Sequence, residues 1–357
     1  MQEESLVKKN KLILVFAIAA VFFTFTLSVF AKGNADVSLS FGKSSFSSND
    51  AVMVEVTITN NTKSTIKLLK WYTPFDGLEE PLFAVRRDGK DVEYIGAHYK
   101  RPQPTDADYF RLRAGESITR TVNLADYYDF SVTGEYAINF DVAALNLFQK
   151  GSALINQTEG LKSGTDIVFV EGRAAKIPEP VTPAAVSGSS SFTAKCTASM
   201  QSSILTARND AAIYSSNALS YLQSGTAGAR YTTWFGVYNL SRYSTVTSHF
   251  SAINNAMETA SMTFDCGCKK RYYAYVYPNQ PYTIYLCSVY WQAPATGTDS
   301  KAGTLIHETS HFTVVAGTDD WVYGQSGAQS LAVSDPVKAI NNADSHEYFA
   351  ENTPFQP

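Results

Sequence analysis

Residues 307–324 read HETSHFTVVAGTDDWVYG, and this stretch decides the interpretation of the whole chain. His307 and His311 lie four positions apart, so on an α-helix they share one face and both imidazoles can bind one metal ion. Neutral imidazole is a favoured zinc ligand, and Glu308 would lie beside the metal, where it can take a proton from the attacking water. The alternative is two surface histidines on a soluble helix. With five histidines in 357 residues, such a match is rare by chance.

A third protein ligand must come from outside the helix, which we predict over residues 302–314. Position 317 is Gly, and no Glu occurs between positions 312 and 346. The nearby candidates are Asp319 and Asp320, in a segment bounded by Gly317 and Gly324. Flanking glycines favour a tight loop that folds back under the helix. The residues alone do not rank one aspartate above the other.

Together, the two motifs resemble those of the aspzincins, the family of deuterolysin and the peptidyl-Lys metallopeptidases. The family pattern His-Glu-x-x-His, followed by Gly-Thr-x-Asp-x-x-Tyr-Gly, is matched at every fixed position. The resemblance implies that Asp320 is the third ligand of one Zn²⁺ and that Asp319 fills the variable position. It also implies that Tyr323 directs its hydroxyl at the developing oxyanion, although a packing tyrosine is the alternative. The expected activity is zinc-dependent endoproteolysis of protein and peptide substrates.

The resemblance continues into the last predicted helix, which starts at the Asp-Pro pair of positions 335–336 and ends near Glu351. Asp344, Glu347 and Glu351 share one face of it. Clustered acids repel unless a cation lies among them, and a substrate Lys ammonium could serve. By resemblance to peptidyl-Lys metallopeptidases, Asp344 and Glu347 line the pocket for a Lys that follows the cleaved bond. Glu351 is expected to be solvated and His346 to pack or assist indirectly; a solvated acidic face is the alternative.

All four cysteines lie in the C-terminal half: Cys196, Cys266, Cys268 and Cys287. An even number in an exported protein predicts two disulfides. The rival is a zinc site, but the sequence has no Cys-x-x-Cys pair. The family resemblance implies the pairing Cys196–Cys266 and Cys268–Cys287.

The N-terminus predicts export. Lys8, Lys9 and Lys11 precede a long apolar run that ends at Ala31, which is typical of a signal peptide spanning residues 1–31. The alternative is that the run stays as an uncleaved membrane anchor. We therefore expect a secreted, extracellular protein without stable membrane association after cleavage. A net charge of −4 and the lack of a long basic block argue against nucleic acid as a partner.

The remaining chain divides into three parts. Residues 32–172 contain short alternating segments between turn signals, which predict an all-β, immunoglobulin-like sandwich. His98 is the one histidine there and is expected to be a surface or packing residue. Residues 173–195 are rich in Pro and Ser and predict a linker with a maturation site. Residues 196–357 predict a mainly α (α+β) catalytic domain, zincin-type by the family resemblance.

The β-domain precedes the linker, so we interpret it as a pro-domain that inhibits its own catalytic domain. This layout resembles the precursors of secreted bacterial aspzincins. Self-cleavage between Ala175 and Lys176 fits the expected preference. One alternative is a permanent sandwich module that binds substrate or a cell surface. For the chain as a whole, the alternative to a protease is a non-catalytic, zinc-stabilised extracellular binding or adhesion protein.

Overall fold

The structure is a computed structural model, and it describes residues 34–149, 158–176 and 188–357. The predicted signal peptide, residues 1–31, lies outside the described residues, and so does the central part of the predicted linker. Across the described ranges, no helix has both the length and the apolar character required to cross a bilayer.

The N-terminal region is built from short strands. In chain order they are β1 (Asp36–Phe41), β2 (Ser45–Phe46), β3 (Met53–Thr59), β4 (Ile66–Leu69), β5 (Phe83–Arg87), β6 (Lys90–Asp91), β7 (His98–Lys100), β8 (Tyr109–Leu112), β9 (Ser117–Asn123), β10 (Gly134–Leu145), β11 (Phe148–Gln149), β12 (Thr158–Lys162) and β13 (Asp166–Val170).

Twelve of these strands form three sheets around one hydrophobic core. The sheets have the orders β1-β3-β9, β2-β13-β10-β5-β6 with β12 also on β10, and β11-β4-β8. In β10, Tyr136, Ile138 and Phe140 point inward because successive strand residues alternate between faces. The predicted β-rich region is confirmed. The immunoglobulin-like topology stays a prediction.

The C-terminal region is mainly helical with a small sheet. Its elements are β14 (Ser190–Phe192), α1 (Ala198–Gln223), α2 (Ala229–Phe235), α3 (Leu240–Thr259), β15 (Met262–Asp265), β16 (Ala274–Val276), β17 (Thr283–Leu286), α4 (Lys301–His311), α5 (Gln325–Ser334), α6 (Pro336–Ala339) and α7 (Ala343–Glu351). The disulfides Cys196–Cys266 and Cys268–Cys287 are both present.

Two local features differ from the sequence-based expectation. The helix predicted from Asp335 to Glu351 is two helices, α6 and α7, with Asn342 at the start of the second. The Asn342 side chain makes no capping hydrogen bond to α7 and instead accepts one from Trp321 N in the neighbouring loop. In addition, β14 lies within the segment predicted as a linker, where it pairs in parallel with β15. Arg208 of α1 donates hydrogen bonds to Ser189 O and Ser190 Oγ and so ties this strand to the helical region.

The remaining N-terminal strand, β7, belongs to the sheet of the C-terminal region. The order of that sheet is β14-β15-β17-β16-β7. β7 runs antiparallel to β16, with Lys100 opposite Ala274 and His98 opposite Val276. One short segment of the β-rich region therefore forms the edge of the sheet beside which α4 lies, and it brings its side chains to the predicted site.

Candidate metal centre and acidic pocket

The histidine motif lies on α4, which is buried along nearly its whole length. Ser300 begins the helix by accepting a hydrogen bond from Gly303 N through its side chain, a standard N-cap. Every residue from position 302 to 311 is buried. The polar side chains of the motif are therefore removed from water and need partners inside the protein.

Asp320 faces both imidazoles. Its Oδ1 lies 3.2 Å from His307 Nε2, and its Oδ2 lies 3.4 Å from His311 Nε2. Ligand atoms bound to one tetrahedral zinc ion are separated by roughly 3.3–3.6 Å, since each bond is about 2.0–2.2 Å long. Asp319 differs: its backbone N–H donates to Asn341 O and anchors the loop. The structure thus brings together the three side chains that the family resemblance selected.

The buried atoms of this cluster fit a metal ion. Both Nε2 atoms and both Asp320 oxygens are buried and make no hydrogen bond within the described part of the chain. Burial alone would lower the pKa of His307 and His311, but the carboxylate of Asp320 raises both. Burial alone would raise the pKa of Asp320, yet the two imidazoles hold it well below its ordinary value. Buried polar atoms without hydrogen bonds are stabilised when they coordinate a metal ion. Two imidazoles and one carboxylate are a ligand set that suits zinc.

A second layer of contacts orients these groups. His311 Nδ1 lies 2.7 Å from Thr318 O, so it donates to that carbonyl and leaves Nε2 free as a ligand atom. His307 Nδ1 lies 2.8 Å from Asp344 Oδ1. Metal-binding imidazoles usually have such a partner on their second nitrogen.

The loop that carries Asp320 is held in place by α7. It turns at Gly317 and Gly324, whose φ angles of 59° and 79° favour glycine. Asn342 Oδ1 accepts hydrogen bonds from Trp321 N and Val322 N, at 3.0 and 3.1 Å. The loop geometry therefore depends on a residue about twenty positions further along the chain.

Glu308 is buried next to the cluster, and neither of its oxygens has a hydrogen-bond partner among the described residues. Burial raises its pKa to about 7, while the neighbouring imidazoles of His307 and His311 oppose the shift. A carboxylate that holds a proton near neutral pH is suited to accept one and release it again.

Tyr323 contacts the β-rich region. Its hydroxyl lies 2.8 Å from Tyr99 O and 3.0 Å from Glu80 Oε1, and its single hydrogen is shared between these two acceptors. Its ring packs edge-on against Trp71. Arg101 forms an ion pair with Glu80. The predicted oxyanion donor is therefore directed at a backbone carbonyl of β7.

The acidic residues of α7 surround a lysine from the same strand. Lys100 Nζ lies 2.5 Å from Glu347 Oε2, 3.6 Å from Asp344 Oδ1 and 3.4 Å from Asp299 Oδ1. Its side chain is 1% exposed, and Nζ also lies over the ring of Tyr273. Burial alone would lower the pKa of Lys100, but Asp344 and Glu347 raise it well above the ordinary value. The alternative of a solvated acidic face is wrong.

Glu351 is buried, so the expectation that it is solvated was wrong. Its Oε1 accepts hydrogen bonds from Ser300 N and Ser300 Oγ, which makes it part of the start of α4. Burial raises its pKa to about 9, and Glu347 adds to the shift. A Cβ on Gly303 would lie 2.1 Å from Glu351 Oε1 and 2.9 Å from Glu347 Oε1. The buried carboxylates of Glu351 and Glu347 thus occupy the space that a side chain at position 303 would need.

His346 packs away from the metal cluster, in line with an indirect role. Its Nδ1 lies 2.9 Å from Asn342 O, and its Nε2 lies 3.1 Å from His249 Nδ1. Burial, together with His249, lowers the pKa of His346 to about 3. The neutral ring helps to hold the start of α7.

Sequence reasoning missed the contribution of β7. His98 is buried, and its ring centroid lies 4.9 Å from that of His311. Burial, together with His311, lowers the pKa of His98 to about 3, so the ring is neutral. Lys100 and Asp299 were not expected at the site either. A three-residue strand that pairs with a partner some 170 positions later carries no local signal by which it could be found.

Comparisons with known proteins give one matching family model and several similar proteases. A family model described as lysine-specific metallo-endopeptidase matches residues 220–351. An extracellular protease of Aeromonas hydrophila is 46% identical over 316 residues, which is 87% of this chain and 90% of that protein. A peptidyl-Lys metalloendopeptidase of Grifola frondosa is 38% identical over 349 residues, 93% of this chain and 97% of that one. A solved zinc peptidase from Grifola frondosa is 52% identical, covering 45% of this chain and 100% of that chain, with a TM-score of 0.44.

Proposed function

Since this chain belongs to the aspzincin family and is a zinc metalloendopeptidase that acts on proteins and peptides, we propose that it is a secreted precursor whose protease cuts on the amino side of Lys. We further propose that its β-rich domain inhibits it until removed. The observation that carries both proposals is the burial of Lys100 between Asp344 and Glu347. Family membership rules out the non-catalytic binding protein considered from the sequence.

The acidic pocket is built to hold an ammonium group. An unpaired buried lysine costs several kcal/mol, on the order of the desolvation penalty of one ion. Lys100 avoids that penalty because Glu347, Asp344 and Asp299 surround its ammonium group, which also lies over two aromatic rings, those of Tyr273 and Tyr348. A substrate Lys that reached the same place would gain the same partners. This match supports Lys as the residue that follows the cleaved bond.

The backbone of β7 supports the same register. If Lys100 occupies the place of the substrate Lys, the bond equivalent to the cleaved one joins Tyr99 to Lys100. The carbonyl on the acyl side of that bond is Tyr99 O, which accepts a hydrogen bond from Tyr323 at 2.8 Å. β7 also adds to the sheet edge at β16, as extended peptides do when they bind by strand addition. Two expected contacts of a substrate are thus made by one segment of the chain.

The proposed mechanism assigns a role to each buried group. His307, His311 and Asp320 would hold one Zn²⁺, which supplies a Lewis acid and makes a nearby water easier to deprotonate. Glu308 accepts the proton of the attacking water and then delivers it to the leaving amine. The hydroxyl of Tyr323 donates to the carbonyl oxygen as negative charge develops there.

Inhibition follows from the same contacts. β7 fills the acidic pocket, occupies the strand-binding edge and engages Tyr323, so a substrate cannot reach any of the three. Activation would then require the β-rich domain to leave after a cut in the linker. The bond between Ala175 and Lys176 is the proposed site, since Lys176 is exposed and reachable. Export through a signal peptide at residues 1–31 accords with the extracellular location in the name of the Aeromonas relative.

A cleavage profile of the processed enzyme tests the proposed specificity. We expect most cuts in a mixed peptide library to fall directly before Lys. Glu347→Gln should lower kcat/KM for Lys peptides by about 30-fold or more, because losing one partner of a buried charge pair costs about 2 kcal/mol or more. Cleavage of a slow peptide with Ala in the same place should stay nearly unchanged.

The matched control for that variant is Glu258→Gln, which changes an exposed carboxylate at the C-terminal end of α3. It should leave both rates unchanged. A profile without preference for Lys, or equal losses of Glu347→Gln activity on Lys and Ala peptides, would reject the pocket. Mass spectrometry of the mature N-terminus decides the maturation site: identical processing of wild-type and Glu308→Gln precursors would mean that another protease cuts the linker.

A further inference from the structure

His98 lies beside two of the three residues proposed to hold the metal, His311 and Asp320. One nitrogen of His98, one of His311 and one oxygen of Asp320 are all within 4.8 Å of one another, and all three residues are buried. His98 comes from the β-rich domain, whereas the other two belong to the helical region. The family motif does not include this residue, and nothing in the proposed mechanism uses it.

The strand geometry directs His98 and Lys100 into the site together. Residues two apart in a strand point to the same face. Lys100 enters the acidic pocket, and His98 meets the ring of His311. The side chain between them, Tyr99, points the other way and packs on the rings of Tyr272 and Tyr275. A lysine that is fixed in its pocket therefore fixes the imidazole beside the metal cluster.

Zinc chemistry gives this imidazole a function. Catalytic zinc sites have three protein ligands and keep a fourth position open for water, whereas sites closed by four protein ligands are structural. The Nε2 atoms of His307 and His311 and the oxygens of Asp320, which have no hydrogen-bond partner among the described residues, make up the first three. From this arrangement we propose that His98 is a fourth protein ligand in the precursor and closes the position that the attacking water needs.

This inference rests on the proposed function and extends it to the way the precursor protects itself. Lys100 and Tyr323 hold β7 as they would hold a substrate, so the Tyr99–Lys100 bond lies in the register for hydrolysis. Hydrolysis needs a water whose oxygen bonds to the carbonyl carbon of Tyr99 while the C–N bond breaks. With His98 bound in the place of that water, the bond persists, and release of β7 reopens the site.

X-ray absorption at the zinc edge tests the proposal through the number of imidazole ligands. The protein is the full-length precursor carrying Glu308→Gln, which prevents self-cleavage, loaded with one equivalent of zinc. We expect three imidazoles and one carboxylate. Adding His98→Ala should reduce the count to two imidazoles, with a water oxygen in the vacated place. It should also speed zinc loss to a chelator by about tenfold or more, since even an outer-shell partner of a ligand contributes about 10- to 100-fold in metal affinity.

Lys162→Met in the same background is the matched control, because it changes an exposed lysine of the β-rich domain that lies outside β7. It should keep three imidazoles. Two imidazoles in the precursor with His98 intact would overturn the proposal, and that measurement decides even if His98→Ala fails to fold. An unchanged count in a folded His98→Ala precursor would overturn it as well. The cleavage profile of the processed enzyme is independent of this count, so failure of the Lys preference is recognised separately.

Discussion

Removing the charge of Lys100 should open the substrate site of the precursor. The perturbation is Lys100→Met, which keeps a long apolar stem and deletes the ammonium. In the structure this group is 1% exposed and lies 2.5 Å from Glu347 Oε2, with Asp344 and Asp299 also within 4 Å. Deleting one partner of a buried ion pair costs about 3–5 kcal/mol, because the remaining charges stay buried without compensation.

That energy sets the expected size of the effect. Two states are in equilibrium: one with residue 100 of β7 in the acidic pocket and one with the pocket open to substrate. At 1.4 kcal/mol for each factor of ten, this equilibrium shifts by about 100- to 4,000-fold toward the open state. The assay is fluorescence anisotropy of a labelled peptide with one internal Lys, added to the full-length Glu308→Gln precursor, which does not cut it. Affinity should rise by that factor in Lys100→Met, up to the limit set by the intrinsic affinity of the peptide for the open site.

The control is Lys162→Met, which removes a lysine of the same domain that is 62% exposed and pairs with Asp141 at the surface. Its peptide affinity should equal that of the parent precursor, since exposed ion pairs contribute about 0–1 kcal/mol. If Lys100→Met binds the peptide no more than twofold better than Lys162→Met, the β-rich domain does not inhibit by filling the pocket.

Three further results are expected. Glu308→Gln should retain a full equivalent of zinc by elemental analysis and lose about 100-fold or more of casein hydrolysis, the scale of a lost general base; full activity would remove Glu308 from its role. Gly303→Ala should weaken the Lys preference and lower the Tm, because its Cβ would strike Glu351 and Glu347, whereas Gly164→Ala, with open space around position 164, should change neither. The pKa of Glu351 is raised to about 9. The contribution of this group to stability is therefore complete below its unfolded-state pKa near 4.5 and is lost as the pH rises to about 9. Glu351→Gln should reduce the fall in Tm between pH 5 and 9, and a fall equal to that of the parent protein would contradict the assignment.

The spacing of the three proposed metal ligands was accessible from sequence because its information is local. His307 and His311 are one helical turn apart, and the loop with Asp320 follows within nine residues between glycines that set its turn. The choice of Asp320 over Asp319 needed the family motif. In physical terms the choice depends on Asn342, whose side chain fixes the loop through Trp321 N and Val322 N. That contact is tertiary, so it cannot be predicted from the loop sequence alone.

The contacts of β7 with the acidic pocket were not accessible from sequence, because they join distant parts of the chain. Lys100 and Asp299 are 199 positions apart. β7 has three residues, too few for a periodic pattern, and it pairs with the sheet of the C-terminal region rather than with the other N-terminal strands. The prediction that Glu351 is solvated failed for a related reason. Helical spacing places Glu351 on an acidic face, but that face is covered by the start of α4.

Anomalous diffraction at the zinc edge from crystals of the full-length Glu308→Gln precursor tests the central claim most directly. The account predicts one strong peak at about 2.0–2.2 Å from His307 Nε2, His311 Nε2 and an oxygen of Asp320, with the ammonium of Lys100 still enclosed by Asp344 and Glu347. A zinc peak elsewhere, or one from which Asp320 points away, would contradict it.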